Sequence, residues 1–132
     1  MTLEVTSPMR MSVAIIDDDE SVCRSLVRLV QWTGLRPSAF YSAEGFLASP
    51  QRGGFGCLVL DVHLDGGMSG LELRRRLLDN GELTPVIFLT AHDDPVTRSE
   101  ATRMGCAAFI RKGEDHLSLI DALLRIERSG SD

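Results

Sequence analysis

No apolar run in the chain is long enough to cross a bilayer, which takes about 20 consecutive apolar residues. The opening segment, MTLEVTSPMRM, lacks the basic-then-apolar order of a signal peptide. Cysteine is sparse. Cys23, Cys57 and Cys106 are odd in number, lie far apart and form no C-x-x-C pair. That excludes a disulfide framework and reads as small buried apolar residues in a reducing compartment. A basic excess is also missing: 14 Lys and Arg stand against 19 Asp and Glu, for a net charge of −5. A general nucleic-acid surface would be basic, so direct nucleic-acid binding is not expected. The one local basic run, Arg74-Arg75-Arg76, reads as a solvated helix face, because consecutive helical positions point in different directions. Internal repeats and low-complexity segments are absent. These absences together describe a cytoplasmic protein that engages neither membrane nor nucleic acid.

What is present fits one ordinary domain. The chain has 132 residues, 43% hydrophobic and 25% charged, enough for one core and too few for a second. Residues 1–11 carry a proline and no periodicity and read as a flexible extension, residues 12–128 as the domain, and residues 129–132 as a tail or the start of a linker. Five short strands are expected, at 12–16, 35–41, 57–61, 85–90 and 107–111. Pro37 lacks the amide that a central strand must donate, so the second belongs at a sheet edge. A helix is expected after each strand. The first runs to about Thr33 with Val22, Leu26, Leu29 and Val30 inward. The second is capped by Ser42 and covers 43–48. The third opens with the Ser69–Glu72 capping box and runs to about Asn80. The fourth is capped by Asp93 or Asp94, with Pro95 at its first position, and is mostly polar. The last covers roughly 115–128 with Leu117, Ile120, Leu123 and Leu124 inward. Strands that read as continuous apolar runs and alternate strictly with helices indicate an α/β fold. The expectation is a flavodoxin-like (βα)5 three-layer sandwich around a five-stranded parallel sheet, in strand order 2-1-3-4-5.

In a parallel sheet all strand C-termini emerge on one edge, where open α/β folds bind ligands. The first strand delivers Asp17 and Asp18 to that edge, the third Asp61, the fourth Thr90 and the fifth Lys112. Where the first and third strands are neighbours their carboxylates converge. One such pair at about 4 Å costs roughly 4 kcal/mol at an effective dielectric near 20. A hard cation with oxygen ligands, such as magnesium, offsets that repulsion, and Lys112 adds a fixed positive charge. A cation, a lysine, a hydroxyl and a spare carboxylate suit the reception of a phosphoryl group, with Asp61 as nucleophile. Taken singly, each of these residues has an ordinary structural explanation: Asp19 and Glu20 as cap and first-turn acids, Thr90 as a β former, Lys112 as a solvated charge. Their joint placement at four strand ends carries the reading.

The segments VAIIDDDESV, SAEGFL, LVLDVHL, GMSGLEL, PVIFLTAH and GCAAFIRK, spread over residues 12–128, resemble the bacterial response-regulator receiver domain (CheY-like), most of all receivers of the FixJ type. The resemblance implies that Asp61 is phosphorylated by a partner histidine kinase. It implies that Asp17, Asp18, Asp61 and the backbone carbonyl of His63 hold Mg2+. It assigns Thr90 and Lys112 to the phosphoryl group, and Thr90 with Phe109 to the conformational switch. It further implies a phospho-accepting signalling switch with slow self-dephosphorylation, not a turnover enzyme. Output would pass to a protein partner or a following, often DNA-binding, domain, with a homodimer through the face of the fourth helix, fifth strand and fifth helix. Whether the chain acts alone or is one piece of a longer protein stays open.

The sequence departs from the family pattern in three places. Asp65-Gly66-Gly67 replaces the usual proline loop after the acceptor, with one extra residue. Gly113 stands where proline normally follows the lysine, and a trans bond is expected there. His92 follows the switch threonine, facing either the phosphoryl group or solvent. Three rivals remain at this stage. Asp17-x-Asp19-x-Ser21 faintly resembles the opening motif of haloacid-dehalogenase-like phosphatases, but that leaves Asp61 unexplained. A flavodoxin-like cofactor binder would need a phosphate cradle after the first strand, where this chain has acids. A degenerate receiver that no longer takes phosphate is kept in play by the altered loops.

Overall fold

The alternation of strand and helix closes into one parallel sheet. The computed structural model describes residues 10–92, 94–113 and 116–130. Strands β1 (Ser12–Ile16), β2 (Arg36–Phe40), β3 (Cys57–Asp61), β4 (Val86–Thr90) and β5 (Ala108–Arg111) pair in the order β2-β1-β3-β4-β5, all parallel. Helices α1 (Glu20–Trp32), α2 (Ala43–Ala48), α3 (Gly70–Asp79), α4 (Pro95–Arg103) and α5 (His116–Gly130) follow the strands in turn. A short 3-10 turn, Arg52–Gly54, precedes β3. The expected architecture and strand order are both found, with boundaries moved by a residue or two, as fraying ends allow. Pro37 lies in β2 at the sheet edge, as its missing amide requires.

Side chains alternate across each strand, so the sheet carries two cores. Val13, Ile15, Val59, Ile87, Leu89 and Ile110 meet α1 and α5 through Leu26, Val30, Leu119 and Leu123. Ala14, Ile16, Leu58, Leu60, Val86 and Phe88 meet α2, α3 and α4 through Phe46, Leu73, Leu77 and Ala101. β3 and β4 are buried along their whole length, which is why they read as unbroken apolar runs. α4 buries only Thr97 and Ala101, in keeping with its polar sequence.

Two expectations are corrected. Arg74 does not lie on a solvated face: it is buried, and its guanidinium donates to the carbonyls of Thr84 and Gly105, both at 2.9 Å. It bridges the turns that lead into β4 and β5, and burial lowers its pKa. Arg75 and Arg76 are exposed as expected. Leu117 is 80% exposed, because the inward stripe of α5 falls on Leu119, Ala122 and Leu123. The apolar run LSLI supports either phase, and packing against β5 selects one. On α1 the buried stripe includes Cys23, with Val22 and Leu29 half-buried at its border. The start of the last helix at 115, Asp93 as a cap, residues 1–9 of the extension and residues 131–132 of the tail lie outside the described residues. Asp94 caps α4, accepting from Val96 N at 2.9 Å. Arg10 and Met11, at the end of the expected extension, reach Glu127 of α5, Arg10 Nε at 2.7 Å and Met11 N at 3.4 Å.

α3 starts directly against the end of β3. Gly70 N donates to Val62 O at 3.0 Å, and a Cβ on Gly70 would lie 1.9 Å from the carbonyl oxygen of Asp61. Only glycine permits that approach. The substitution Gly70→Ala must therefore push the helix start away from β3. A loss of about 2–4 kcal/mol is expected in urea unfolding. A loss below about 0.5 kcal/mol, in the range of ordinary surface substitutions, would show that the contact relaxes freely.

Candidate functional site

Four of the five strands deliver, at or just after their C-terminal ends, the residues the sequence points to. β1 stops at Ile16, and the chain turns at once into α1. Asp19 caps that helix, its Oδ1 accepting from Ser21 N at 2.8 Å and Val22 N at 3.3 Å. Asp17 is turned inward and is 1% exposed, with Oδ1 accepting from Asp19 N at 2.9 Å. Asp18, between them, is exposed. β1 and β3 are hydrogen-bonded neighbours, so Asp61 at the end of β3 comes up beside Asp17, and it is 4% exposed. Lys112 follows β5 directly, its backbone N donating to Thr90 O at 2.8 Å, and its side chain crosses the mouth of the sheet. Nζ lies 2.8 Å from Asp61 Oδ2 and 2.7 Å from Asp17 Oδ2.

One ammonium thus bridges two nearly buried carboxylates. Burial alone would lower the lysine pKa, but its contacts with Asp17 and Asp61 outweigh burial and raise it. For Asp61 the balance runs the other way. Burial is the largest influence and raises its pKa, the charge of Asp17 adds to that, and Lys112 and the His63 amide offset them only in part. The lysine is the firmly charged partner and Asp61 the strained one. Asp17 Oδ2 has the ammonium at 2.7 Å but, among the described residues, no well-directed hydrogen-bond partner.

The oxygens of Asp17, Asp18 and Asp61 come within 4.8 Å of one another. An all-oxygen donor set with an unsatisfied buried oxygen suits a hard divalent cation that keeps several waters. The residues therefore fit a magnesium-type ion. His63 N donates to Asp61 Oδ1 at 3.1 Å, which folds the following loop back over the carboxylate.

Thr90 is fully buried, and its hydroxyl donates to His92 O at 2.6 Å while accepting from His92 N at 3.2 Å. The His92 residue is exposed, and its described bonds to Thr90 are made by its backbone. Phe109 is half-buried on β5, with the Arg98 guanidinium 4.6 Å above its ring. Gly113 has φ +77°, a left-handed conformation closed to proline, so the chain leaves Lys112 by a route the usual Lys-Pro pair cannot take. No cis peptide bond is found among the described residues. The sequence reading missed Gly70, Arg98 and Glu44. Glu44 Oε2 accepts from Met68 N at 2.8 Å in the loop after β3. Gly70 and Glu44 stand inside the segments GMSGLEL and SAEGFL, but single residue types do not reveal a contact across the fold.

The model of the response regulator receiver domain matches residues 13–124. The chain belongs to this family. Its relatives include the response regulator protein TmoT of Ectopseudomonas mendocina, 38% identical over 86% of this chain and 53% of that protein. The transcriptional regulatory protein FixJ of Azorhizobium caulinodans is 37% identical over 88% of this chain and 54% of that protein. The chain spans about half the length of these curated relatives. Among solved structures, the N-terminal part of FixJ superposes with a TM-score of 0.80 at 35% identity, covering 91% of this chain and 95% of that one. The receiver protein of Pseudoalteromonas atlantica superposes at 0.84 with 24% identity, covering 92% and 99%, which speaks to the fold alone. Phosphorylation on aspartate and use of Mg2+ are general features of the family, and its members are signalling switches in two-component systems. Among the described residues no helix is long and apolar enough to cross a membrane.

A raised carboxylate pKa sets the sign of a pH effect. Asp61 binds its proton more tightly folded than unfolded, so its contribution to stability is present below the unfolded pKa and lost as pH rises through the folded one. At neutral pH without metal, the ionised Asp61 is a net cost. Asp61→Asn is expected to raise the melting temperature in chelator at pH 7, with the gain shrinking as the pH falls into the carboxylate range. A gain that stays constant down to acid pH would mean that the charge is not its origin.

Proposed function

We propose that this chain is the phosphoryl-accepting receiver of a two-component system, with Asp61 as the acceptor. The observation that carries the reading is the Lys112 ammonium seated between Asp61 and Asp17 at the C-terminal edge of the sheet. The Asp61 carboxylate attacks the phosphorus of a kinase phosphohistidine. A P–O bond forms, the P–N bond breaks, and the imidazole leaves with the electron pair and takes up a proton. Lys112 holds the acceptor in place and faces the incoming oxygens. Asp17, Asp18, Asp61 and the His63 carbonyl would hold Mg2+, which when bound supplies charge neutralisation for the phosphoryl oxygens. Thr90 leaves the His92 carbonyl to hydrogen-bond the phosphoryl group, and Phe109 moves with it. This is a two-position element biased by a local change of charge.

The role is that of a switch with slow self-dephosphorylation, acting in the cytoplasm and read by a protein partner or a following output domain, in part through a homodimer on the α4-β5-α5 face. The name of the relative FixJ, a transcriptional regulatory protein, and the BeF3-activated form of the DrrB receiver, 26% identical with a TM-score of 0.79, are consistent with it. Neither the phosphatase reading nor the flavodoxin-like cofactor-binder reading explains the burial of Asp61 against Lys112.

The test is phosphorylation by acetyl phosphate, read by intact mass, with Mg2+ or with chelator. Wild type is expected to gain one phosphoryl group only with Mg2+, and Asp61→Asn none. Modification of Asp61→Asn at the wild-type rate, or an unmodified but folded wild type, would overturn the proposal.

A further inference from the structure

Between β3 and α3 this chain has Asp65-Gly66-Gly67 where a proline would restrict the backbone. Gly66 is left-handed at φ +79°, and residues 65 to 67 are exposed. At the near end Val62 and Leu64 are buried and His63 N is bonded to Asp61, but His63 itself is exposed, so the setting of its carbonyl also depends on the course of the rest of the loop. Its far end is fixed by a side chain from another element. Glu44, in the first turn of α2, accepts from Met68 N at 2.8 Å. That backbone bond is the main reason the Glu44 carboxyl is held below its ordinary pKa. Gly67 packs against the same group, since a Cβ there would lie 2.7 Å from Glu44 Oε2.

We infer that Glu44 is a positioning residue that fastens the loop after β3 and so holds the His63 carbonyl in its metal-binding place. The inference rests on the receiver reading above. With the hook gone, the glycine segment samples more conformations, and the metal-competent one is a smaller fraction of them. Apparent affinity falls by that fraction. The described hydrogen bond of the Glu44 side chain goes to Met68 and not to a metal ligand or to Asp61, so the chemistry at Asp61 is expected to be unchanged once the cation is bound. A glutamine retains an oxygen acceptor for the Met68 amide, and an alanine does not.

The experiment is calorimetric Mg2+ titration of wild type, Glu44→Ala, Glu44→Gln, Gly67→Ala and the Glu44→Ala/Gly67→Ala double variant, with folding checked by thermal melts in chelator. Outer partners of a metal site typically change affinity ~10–100-fold, and a hook that acts along a loop should do less. Glu44→Ala is expected to weaken Mg2+ binding about three- to tenfold, with Glu44→Gln within about twofold of wild type. Gly67→Ala displaces the Glu44 carboxylate and should resemble Glu44→Ala, and the double variant should be no weaker than either single one. Wild-type affinity in Glu44→Ala, or equal losses in Glu44→Ala and Glu44→Gln, would overturn the hook and leave the receiver reading standing. A folded wild type that binds no Mg2+ would overturn both.

Discussion

The contact on which the rest depends is the one between the Lys112 ammonium and two carboxylates, Asp17 and Asp61, that are almost wholly buried. Two like charges brought this close in a low-dielectric setting repel by several kcal/mol. Without the lysine, one of them would have to take up a proton or turn to solvent. Lys112 answers one negative charge of three, counting Asp18, and leaves the cluster net negative. The site is thus built short of positive charge. On the proposed reading an arriving phosphoryl group adds further negative charge, which a divalent cation held by these oxygens would offset.

That contact exists because of topology. β1 and β3 are neighbours and parallel, so their C-termini, and the acids that follow them, meet on one edge. Lys112 comes from β5, two strands away from β3 beyond β4, and only a long flexible side chain at a strand end spans that gap. The sheet holds these ends at fixed spacing because β3 and β4 are packed on both faces. Gly70 extends the constraint into α3. Its lack of a side chain lets the helix start press against the Asp61 carbonyl, so Asp61 is braced from behind by backbone as well as from the side by Lys112.

The sequence displays what depends on periodicity and on strand ends. The runs SVAII and CLVL read as buried strands, and an acid after each, with a lysine after AFIR, marks the sheet edge where these side chains meet. It does not display contacts made across the fold by residues whose local reading is ordinary. Arg74 belongs to a run of three arginines, and nothing local distinguishes it from Arg75 and Arg76. Its burial follows from the position of the Thr84 and Gly105 carbonyls, which come from other turns. Leu117 fails for the related reason that a dense apolar run leaves the phase of a helix undetermined, and packing against β5 chooses it. The bond from Met68 to Glu44 spans 24 residues and has no sequence signature.

The two residues assigned to switching share a feature that bears on how far a charge change at Asp61 can travel. The Thr90 hydroxyl is held by the backbone of His92, and the ring of Phe109 is covered by Arg98 of α4. Both tethers thus come from the stretch between residues 92 and 98, at the start of a helix that buries only Thr97 and Ala101. A cation over an aromatic ring at an exposed site contributes only about 0.5–1 kcal/mol, and one neutral hydrogen bond contributes a similar amount. On the proposed reading, the phosphoryl group offers Thr90 a charged acceptor, and hydrogen bonds to charged groups are worth about 1.5–3 kcal/mol. That exceeds the bond it gives up. On that reading the sheet, packed on both faces, would stay in place and the movement would go into α4 and its loop, where the tethers are weakest.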